Sequence, residues 1–194
     1  MNAMLESLNT LSAQTLPAGT GYDAEAPLSL LRMSVGDEAL AVSIDDVREI
    51  LQVARLTPLP RTPEFVRGVM NLRGAVVPVI DLSARLGRPA TVTGRRSCIV
   101  VVDATDAAQA DADGSDSESP GQSLTVGLLV DAVYEVFDRA AHEIEPAPAL
   151  GTRISPGFLR GITRSGGQLI GVLALQQVLS AHELSSAIAA WRAH

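Results

Sequence analysis

Residues 65–82 read FVRGVMNLRGAVVPVIDL and contain two apolar runs separated at a glycine. The runs Gly68–Leu72 and Ala75–Asp81 are rich in valine and isoleucine, which favour β-strands. Gly74 stands between them, where a tight hairpin turn requires a residue with positive φ. Pro78 lies inside the second run and predicts an outward-facing edge or a bulge there. The stretch therefore predicts an antiparallel β-hairpin.

The hairpin pattern occurs a second time in the chain. Residues 158–173 read FLRGITRSGGQLIGVL, so that Gly167 stands where Gly74 stands in the first copy. Such self-similarity predicts two copies of one β module, with each half of the chain closing its own small barrel. Further matches occur in the same order upstream: Asp45, Val47 and Glu49 with Asp131, Val133 and Glu135, and Pro58-Leu59-Pro60 with Pro146-Ala147-Pro148.

Short apolar segments punctuated by glycine and proline continue through the chain and are typical of a mainly β protein. Helical spacing occurs at Leu82–Leu86, which Gly87 closes, and in a C-terminal helix over Leu175–Trp191. We expect two five-stranded barrels packed together, with Phe65 and Phe158 filling their interiors. The predicted strands are Leu28–Val35, Ala39–Ile44, Arg48–Ala54, Gly68–Leu72, Ala75–Asp81, Ser97–Asp103, Leu124–Val130, Glu135–Asp138, Leu159–Arg164 and Gln168–Leu173.

Two stretches lack the apolar content that a folded core requires. Residues 1–27 mix small and polar residues around scattered leucines and predict a flexible tail. Residues 104–123 are acidic and rich in glycine and serine, and they predict a disordered loop. The remaining residues, 28–194 apart from that loop, are expected to form one domain of two modules.

Composition narrows the classes of function. The net charge is −7 and all 15 basic residues are arginine, which argues against a nucleic-acid partner and excludes lysine-based chemistry. Cys98 is the single cysteine and the three histidines lack metal-binding spacing, so we expect no metal and no cofactor. No apolar run reaches the roughly 18 residues of a membrane span. A cytoplasmic, non-enzymatic protein that binds other proteins is therefore favoured.

The block Val47-Arg48-Glu49-Ile50 and residues 63–82 together closely resemble the CheW-like module of chemotaxis coupling proteins. The pattern Gly-Val-x-Asn-Leu-Arg-Gly, followed by a proline and later by Asp-Leu, is specific. The resemblance extends from about Leu28 to the final helix and implies the family's two small SH3-like β-barrels. It also implies an adaptor: one surface binds the cytoplasmic tip of a chemoreceptor (a methyl-accepting chemotaxis protein), and another binds the regulatory domain of a CheA-type histidine kinase.

The resemblance also implies which residues contact each partner. Val47, Glu49, Gly68 and Arg73 match positions on the receptor side, and we expect Glu49 and Arg73 to form an ion pair there. Ile50 and Leu51 are expected to be exposed and to contact the kinase. The alternatives are that the ion pair only pins two strands, that Val47 is a core residue and that Gly68 only permits a close backbone approach.

The implied function is therefore a scaffold recruited to membrane-receptor arrays without direct membrane insertion. One alternative is an adaptor of the same family in a specialised chemosensory pathway that controls pili, surface motility or gene expression. The other alternative is a small β-barrel enzyme. An enzyme would need a pocket with convergent polar groups and shifted pKa values.

Overall fold

The computed structural model describes residues 26–60, 62–104, 124–147 and 154–179 of the chain. These ranges contain two short α-helices, α1 (Leu82–Arg85) and α2 (Leu175–Val178), and three one-turn 3-10 helices, at Ile44–Asp46, Ala141–Glu143 and Pro156–Phe158. All the predicted strands are present, with bounds that differ from the prediction by at most three residues. The strands are β1 (Leu28–Val35), β2 (Glu38–Ser43), β3 (Val47–Gln52), β4 (Val66–Leu72), β5 (Ala75–Asp81), β6 (Cys98–Ala104), β7 (Leu124–Val130), β8 (Ala132–Arg139), β9 (Leu159–Ser165) and β10 (Gln168–Leu173).

Three predictions fall wholly or partly on residues outside the described ranges. Two of them are the flexible tail, apart from its last two positions, and the acidic loop after Ala104. The predicted C-terminal helix begins as α2 at Leu175, and its residues from position 180 onward also lie outside the described ranges.

The strands form two five-stranded sheets with the same internal plan. One has the order β3-β6-β7-β5-β4 and the other has the order β8-β1-β2-β10-β9. In each sheet one pair of neighbours is parallel, β5 with β7 and β10 with β2, while the other neighbours are antiparallel. We call the sheet of β3–β7 the first barrel and the other sheet the second barrel.

Backbone hydrogen bonds close each sheet into a barrel at equivalent places. In the first barrel the N–H groups of Thr57 and Val69 each donate to the carbonyl oxygen of the other, at 2.9 and 2.8 Å. In the second barrel Glu145 and Ile162 exchange the same two hydrogen bonds at 2.8 and 2.7 Å. Closure pairs the edge strands within the chain, so that they offer fewer free backbone groups to other molecules.

The expectation that each half of the chain closes its own barrel is wrong. The second barrel takes β1 and β2 from the beginning of the chain and β8–β10 from its end. Asp131, at the β7–β8 junction, anchors this arrangement: its N–H donates to the Ser34 carbonyl at 3.0 Å and its carboxylate accepts from the Gly36 N–H at 2.6 Å. The two barrels are therefore copies of one module in circularly permuted order.

Buried side chains fall into three clusters. One fills the first barrel and includes Met70, Val79 and Ile99, and a smaller one fills the second barrel around Leu30 and Ile170. The largest cluster lies between the barrels and uses the opposite faces of the same strands. Strands β6 and β7 are therefore apolar on both faces, which explains their unbroken runs of valine and leucine.

The expectation that Phe65 and Phe158 fill the barrel interiors is also wrong. Both rings are only partly buried and pack against the cluster between the barrels. The guanidinium carbon of Arg85 lies 4.8 Å from the centre of the Phe65 ring and 5.3 Å from that of Phe158. Aliphatic side chains and Met70 fill the interiors instead, and the two aromatic rings hold a cation where the barrels meet.

Pro78 is accommodated without loss of a strand hydrogen bond. It lies opposite Val69 in β4, and Val69 uses its own N–H and carbonyl to bond Thr57. The nitrogen of Pro78 therefore faces the β7 side of β5, where the ladder begins only at Val79. The predicted outward-facing edge or bulge at Pro78 is therefore wrong: β5 lies between β4 and β7, Pro78 is buried, and the proline is tolerated because the β5–β7 ladder has not yet begun there.

Candidate functional site

The loop between β4 and β5 is a two-residue turn with an unusual residue in its first central position. Leu72 pairs with Ala75, and the turn residues Arg73 and Gly74 have φ angles of 53° and 92°. Positive φ at both positions is typical of the tight turn that matches strand twist, and the φ predicted for Gly74 is confirmed. Arginine is rare in this conformation because its Cβ crowds the backbone.

Arg73 extends from this turn to Glu49 on β3. Its Nη2 atom lies 3.1 Å from Oε2 of Glu49, so the expected ion pair is confirmed. The arginine side chain is 81% exposed and the glutamate side chain 23% exposed. An exposed pair of this kind contributes at most about 1 kcal/mol to stability. Stability alone therefore gives little reason for an arginine in a strained turn position.

The other residues predicted for the receptor side lie deeper. Val47, at the start of β3, is half-buried and packs against the cluster between the barrels. Gly68 has a φ of 137°, and a Cβ added there would lie 2.3 Å from the carbonyl oxygen of Thr57. Gly161 is its counterpart in the second barrel, where a Cβ would lie 2.6 Å from the Glu145 carbonyl oxygen. The alternative explanation for Gly68 is therefore supported: a glycine here permits a close approach to the backbone of Thr57.

The two residues predicted for the kinase differ in exposure. Ile50 is 43% exposed, whereas Leu51 is half-buried and packs against the interior of the first barrel. Exposure alternates along β3, as it does on any strand with one face toward a core. The expectation of an exposed side chain is therefore confirmed for Ile50 and is wrong for Leu51.

A cleft between the barrels lies beside Val47, and the sequence did not reveal it. Its volume is about 330 Å³, and Asp46, Asp103 and Arg160 supply its charged groups. Burial raises the pKa of Asp46, the neighbouring carboxylate of Asp45 raises it further, and Arg160 lowers it. Asp103 also forms an ion pair with Arg48 and accepts a hydrogen bond from the Thr125 hydroxyl at 2.9 Å.

The second barrel carries a related pair at the repeat equivalent of Glu49. Glu135 lies 3.2 Å from Arg32, whose guanidinium carbon lies 5.4 Å from the centre of the Tyr134 ring. Here the arginine comes from β1 and not from a turn, because the turn position that matches Arg73 is Gly166. The match between Glu49 and Glu135 was the one signal in the sequence that pointed to this pair.

Four exposed apolar side chains are related by the same repeat. Ile50 and Val76 are exposed on the first barrel, and their equivalents Val136 and Leu169 are exposed on the second. Sequence reasoning found only Ile50, although the repeat relates each of these residues to a counterpart. Each barrel therefore presents apolar surface at equivalent positions, as protein-binding surfaces do.

The described ranges contain neither a candidate metal cluster nor a membrane-spanning helix. No group of three or more histidine, cysteine, aspartate or glutamate side chains there could hold a metal ion. No helix in the same ranges is both long and apolar enough to span a membrane.

Comparison with known proteins agrees with this architecture. A family model described as CheW-like domain matches residues 29–183. Chemotaxis protein CheW of Rhizobium meliloti (strain 1021) is 35% identical over 158 residues, which cover 81% of this chain and 91% of that protein. Chemotaxis protein CheW of Thermotoga maritima is 28% identical over 160 residues, which cover 81% of this chain and 91% of the Thermotoga protein. The crystal structure of scaffolding protein TtCheW from Thermoanaerobacter tengcongensis aligns with a TM-score of 0.66 at 29% identity, covering 83% of this chain and 93% of that one.

Proposed function

Because this chain belongs to the CheW-like domain family, we propose that it is a non-catalytic scaffold that joins chemoreceptors to a CheA-type histidine kinase. Several relatives that match it over most of its length are named chemotaxis proteins, and a similar solved structure is that of a scaffolding protein. In this proposal the chain makes and breaks no covalent bond. Its whole contribution lies in the surfaces that it presents.

The observation that carries the proposal is the ion pair of Arg73 and Glu49. Glu49 holds one edge of the guanidinium at 3.1 Å, and the exposure of the side chain leaves most of its N–H donors facing solvent. A receptor helix that brings a carboxylate or a helix-end carbonyl to this point would form charge-assisted hydrogen bonds. Partial exclusion of water on docking makes such contacts dominate the binding energy.

The kinase contact that we propose centres on Ile50. Neighbouring residues of a strand point to opposite faces, so Ile50 lies on the outer face of β3, whereas Glu49 shares the inward face with Leu51 and reaches Arg73 at the β4–β5 turn. One partner can therefore bind the exposed Arg73 at the turn while the other covers Ile50. In this arrangement Leu51 contributes indirectly, because it packs against the interior of the first barrel and supports β3 there.

The proposed mechanism is noncovalent coupling. A scaffold that binds two partners at once raises the concentration of each near the other, so weak individual contacts suffice in an array. Receptor conformation influences the kinase only if the scaffold binds the signalling states of its partners with different affinities. We propose that the array of membrane receptors recruits this chain through such contacts.

A titration of the full chain against a receptor cytoplasmic fragment and the kinase, with kinase autophosphorylation as a second readout, tests the proposal. Arg73→Glu should weaken receptor binding, and the reversed pair Glu49→Arg/Arg73→Glu should restore part of it. Ile50→Asp should weaken kinase binding and leave receptor binding unchanged. The matched control is the exchange Arg32→Glu/Glu135→Arg on the second barrel. A folded wild-type chain that binds neither partner would refute the proposal.

A further inference from the structure

The β4–β5 turn contains a hydrogen bond that its counterpart lacks. Oδ1 of Asn71 accepts a hydrogen bond from the Gly74 N–H at 2.9 Å. In the second barrel the β9–β10 turn has the same form, with φ angles of 57° and 80° at Gly166 and Gly167. The repeat equivalent of Asn71 is Arg164, which has no amide oxygen to offer that turn.

This difference coincides with the difference in strain. The β9–β10 turn has glycine at both left-handed positions, and glycine adopts positive φ without crowding. The β4–β5 turn has arginine at the first of these positions, where an L-residue is disfavoured by the contact of its Cβ with the backbone. Of these two hairpin turns, the strained one is thus the one with a side-chain brace.

We propose that Asn71 is a positioning residue for Arg73, an inference that rests on the proposed receptor-binding function. By accepting from Gly74 across the turn, Asn71 holds Arg73 at positive φ, and this conformation directs the guanidinium to Glu49. Asn71 itself touches no partner in this scheme. Without the brace the turn relaxes toward conformations in which Arg73 has ordinary φ and leaves Glu49.

The test compares Asn71→Ala, which removes the acceptor, with Asn71→Asp, which keeps an oxygen at the same place. One net hydrogen bond corresponds to about a three- to tenfold change in an equilibrium. Asn71→Ala should therefore weaken binding of the receptor fragment by about three- to tenfold and leave kinase binding unchanged, while Asn71→Asp should restore receptor binding. Arg164→Ala, at the equivalent exposed position of the second barrel, is the matched control and should bind as the wild type does.

A second comparison separates positioning from direct contact. In an Arg73→Gly background, Asn71→Ala should cause no further loss of receptor affinity, because Asn71 acts only through Arg73. An equal loss in both backgrounds would overturn the proposal, since Asn71 would then contact the receptor itself. Wild-type affinity of Asn71→Ala would overturn it as well.

A third readout does not depend on the receptor. Hydrogen exchange of the Gly74 amide should be about three- to tenfold faster in Asn71→Ala than in the wild type or in Asn71→Asp. If the wild-type chain fails to bind the receptor fragment, the proposed function fails, and the exchange rate still decides whether Asn71 braces the turn. Unchanged exchange at Gly74 in Asn71→Ala would overturn the brace.

Discussion

Nε of Arg85 donates a hydrogen bond to the backbone carbonyl of Val178 at 2.7 Å, and these two residues occupy equivalent positions in the two repeats. Each is the last residue of the short helix that follows its hairpin. Contact between equivalent residues places them where the two barrels meet, and the rings of Phe65 and Phe158 flank Arg85 there. One arginine thus joins both copies of the module.

Replacement of Arg85 by leucine should destabilise the whole domain. The variant loses a charged hydrogen bond and two cation–π contacts, which together correspond to about 2 kcal/mol. Urea unfolding should show a lower midpoint with an unchanged slope. Arg139→Leu is the matched control, because Arg139 stacks on Phe137 at 4.9 Å and donates to the Arg164 carbonyl within one barrel. If Arg85→Leu loses no more unfolding free energy than Arg139→Leu does, the contact between the barrels adds nothing to stability.

Gly68 and Gly161 provide a second prediction. Alanine at either position forces its Cβ against a carbonyl oxygen of the segment that closes the barrel, and overpacking of this kind corresponds to about 1–3 kcal/mol. Gly68→Ala should be the more destabilising, because its contact is shorter and its φ is positive. Thermal unfolding of the Gly68→Ala and Gly161→Ala variants measures both losses of stability. If Gly68→Ala instead keeps wild-type stability and loses receptor affinity, Gly68 lies in the contact surface.

The turn residue Arg73 offers a third prediction, with stability and binding changing in opposite directions. Arg73→Gly removes the left-handed strain and should raise the free energy of unfolding by about 1 kcal/mol. The same variant should lose receptor affinity. Gly166→Arg, its reciprocal in the second barrel, should lower the free energy of unfolding by a similar amount. A destabilised Arg73→Gly variant would show that the ion pair with Glu49 outweighs the strain.

The pKa of Asp46 gives a fourth prediction, on pH. Because burial and Asp45 raise this pKa, the folded state binds the proton more tightly than the unfolded state does. The charged carboxylate therefore lowers stability above the raised pKa, and the loss disappears as the pH falls toward the ordinary carboxyl value. Asp46→Asn should raise the free energy of unfolding at neutral pH and leave it unchanged in acid.

Urea unfolding at neutral and acidic pH measures the effect of Asp46→Asn. Glu64→Gln, at an exposed carboxylate on the same barrel, serves as the control and should show no such difference. If Asp46→Asn raises the free energy of unfolding equally at both pH values, the increase does not come from ionisation of the Asp46 carboxyl. Arg160→Gln should enlarge the effect, because Arg160 lowers the pKa of Asp46.

Local sequence patterns predicted the strands and the φ of Gly74, because alternation, β-branched residues and turn chemistry act over a few neighbours. The pair of Glu49 and Arg73 was predicted from a family pattern, in which both residues are part of the motif. Barrel membership was not predictable in this way. It depends on the pairing of β1 with β8 and of β2 with β10, strands far apart in the sequence, and matched repeats are equally consistent with either strand assignment.

The role of Arg85 was hidden for a related reason. Nothing in the neighbourhood of Arg85 distinguishes it from an ordinary last-turn arginine of a short helix. Its partners Phe158 and Val178 lie in the other repeat, and only packing brings them together. The hydrogen bond of Asn71 is local, and the contrast with Arg164 in the repeat was a signal that could have revealed it.

The permuted order of the modules also sets the order in which they can fold during synthesis. The first barrel is continuous, so all its strands are available once β7 has left the ribosome. The β1–β2 hairpin emerges earliest, yet its partners β8–β10 are made last. Its apolar side chains Leu31, Met33 and Leu40 therefore have only the first barrel to pack against in the interval. The first barrel can thus serve as the template on which the nascent chain assembles the second.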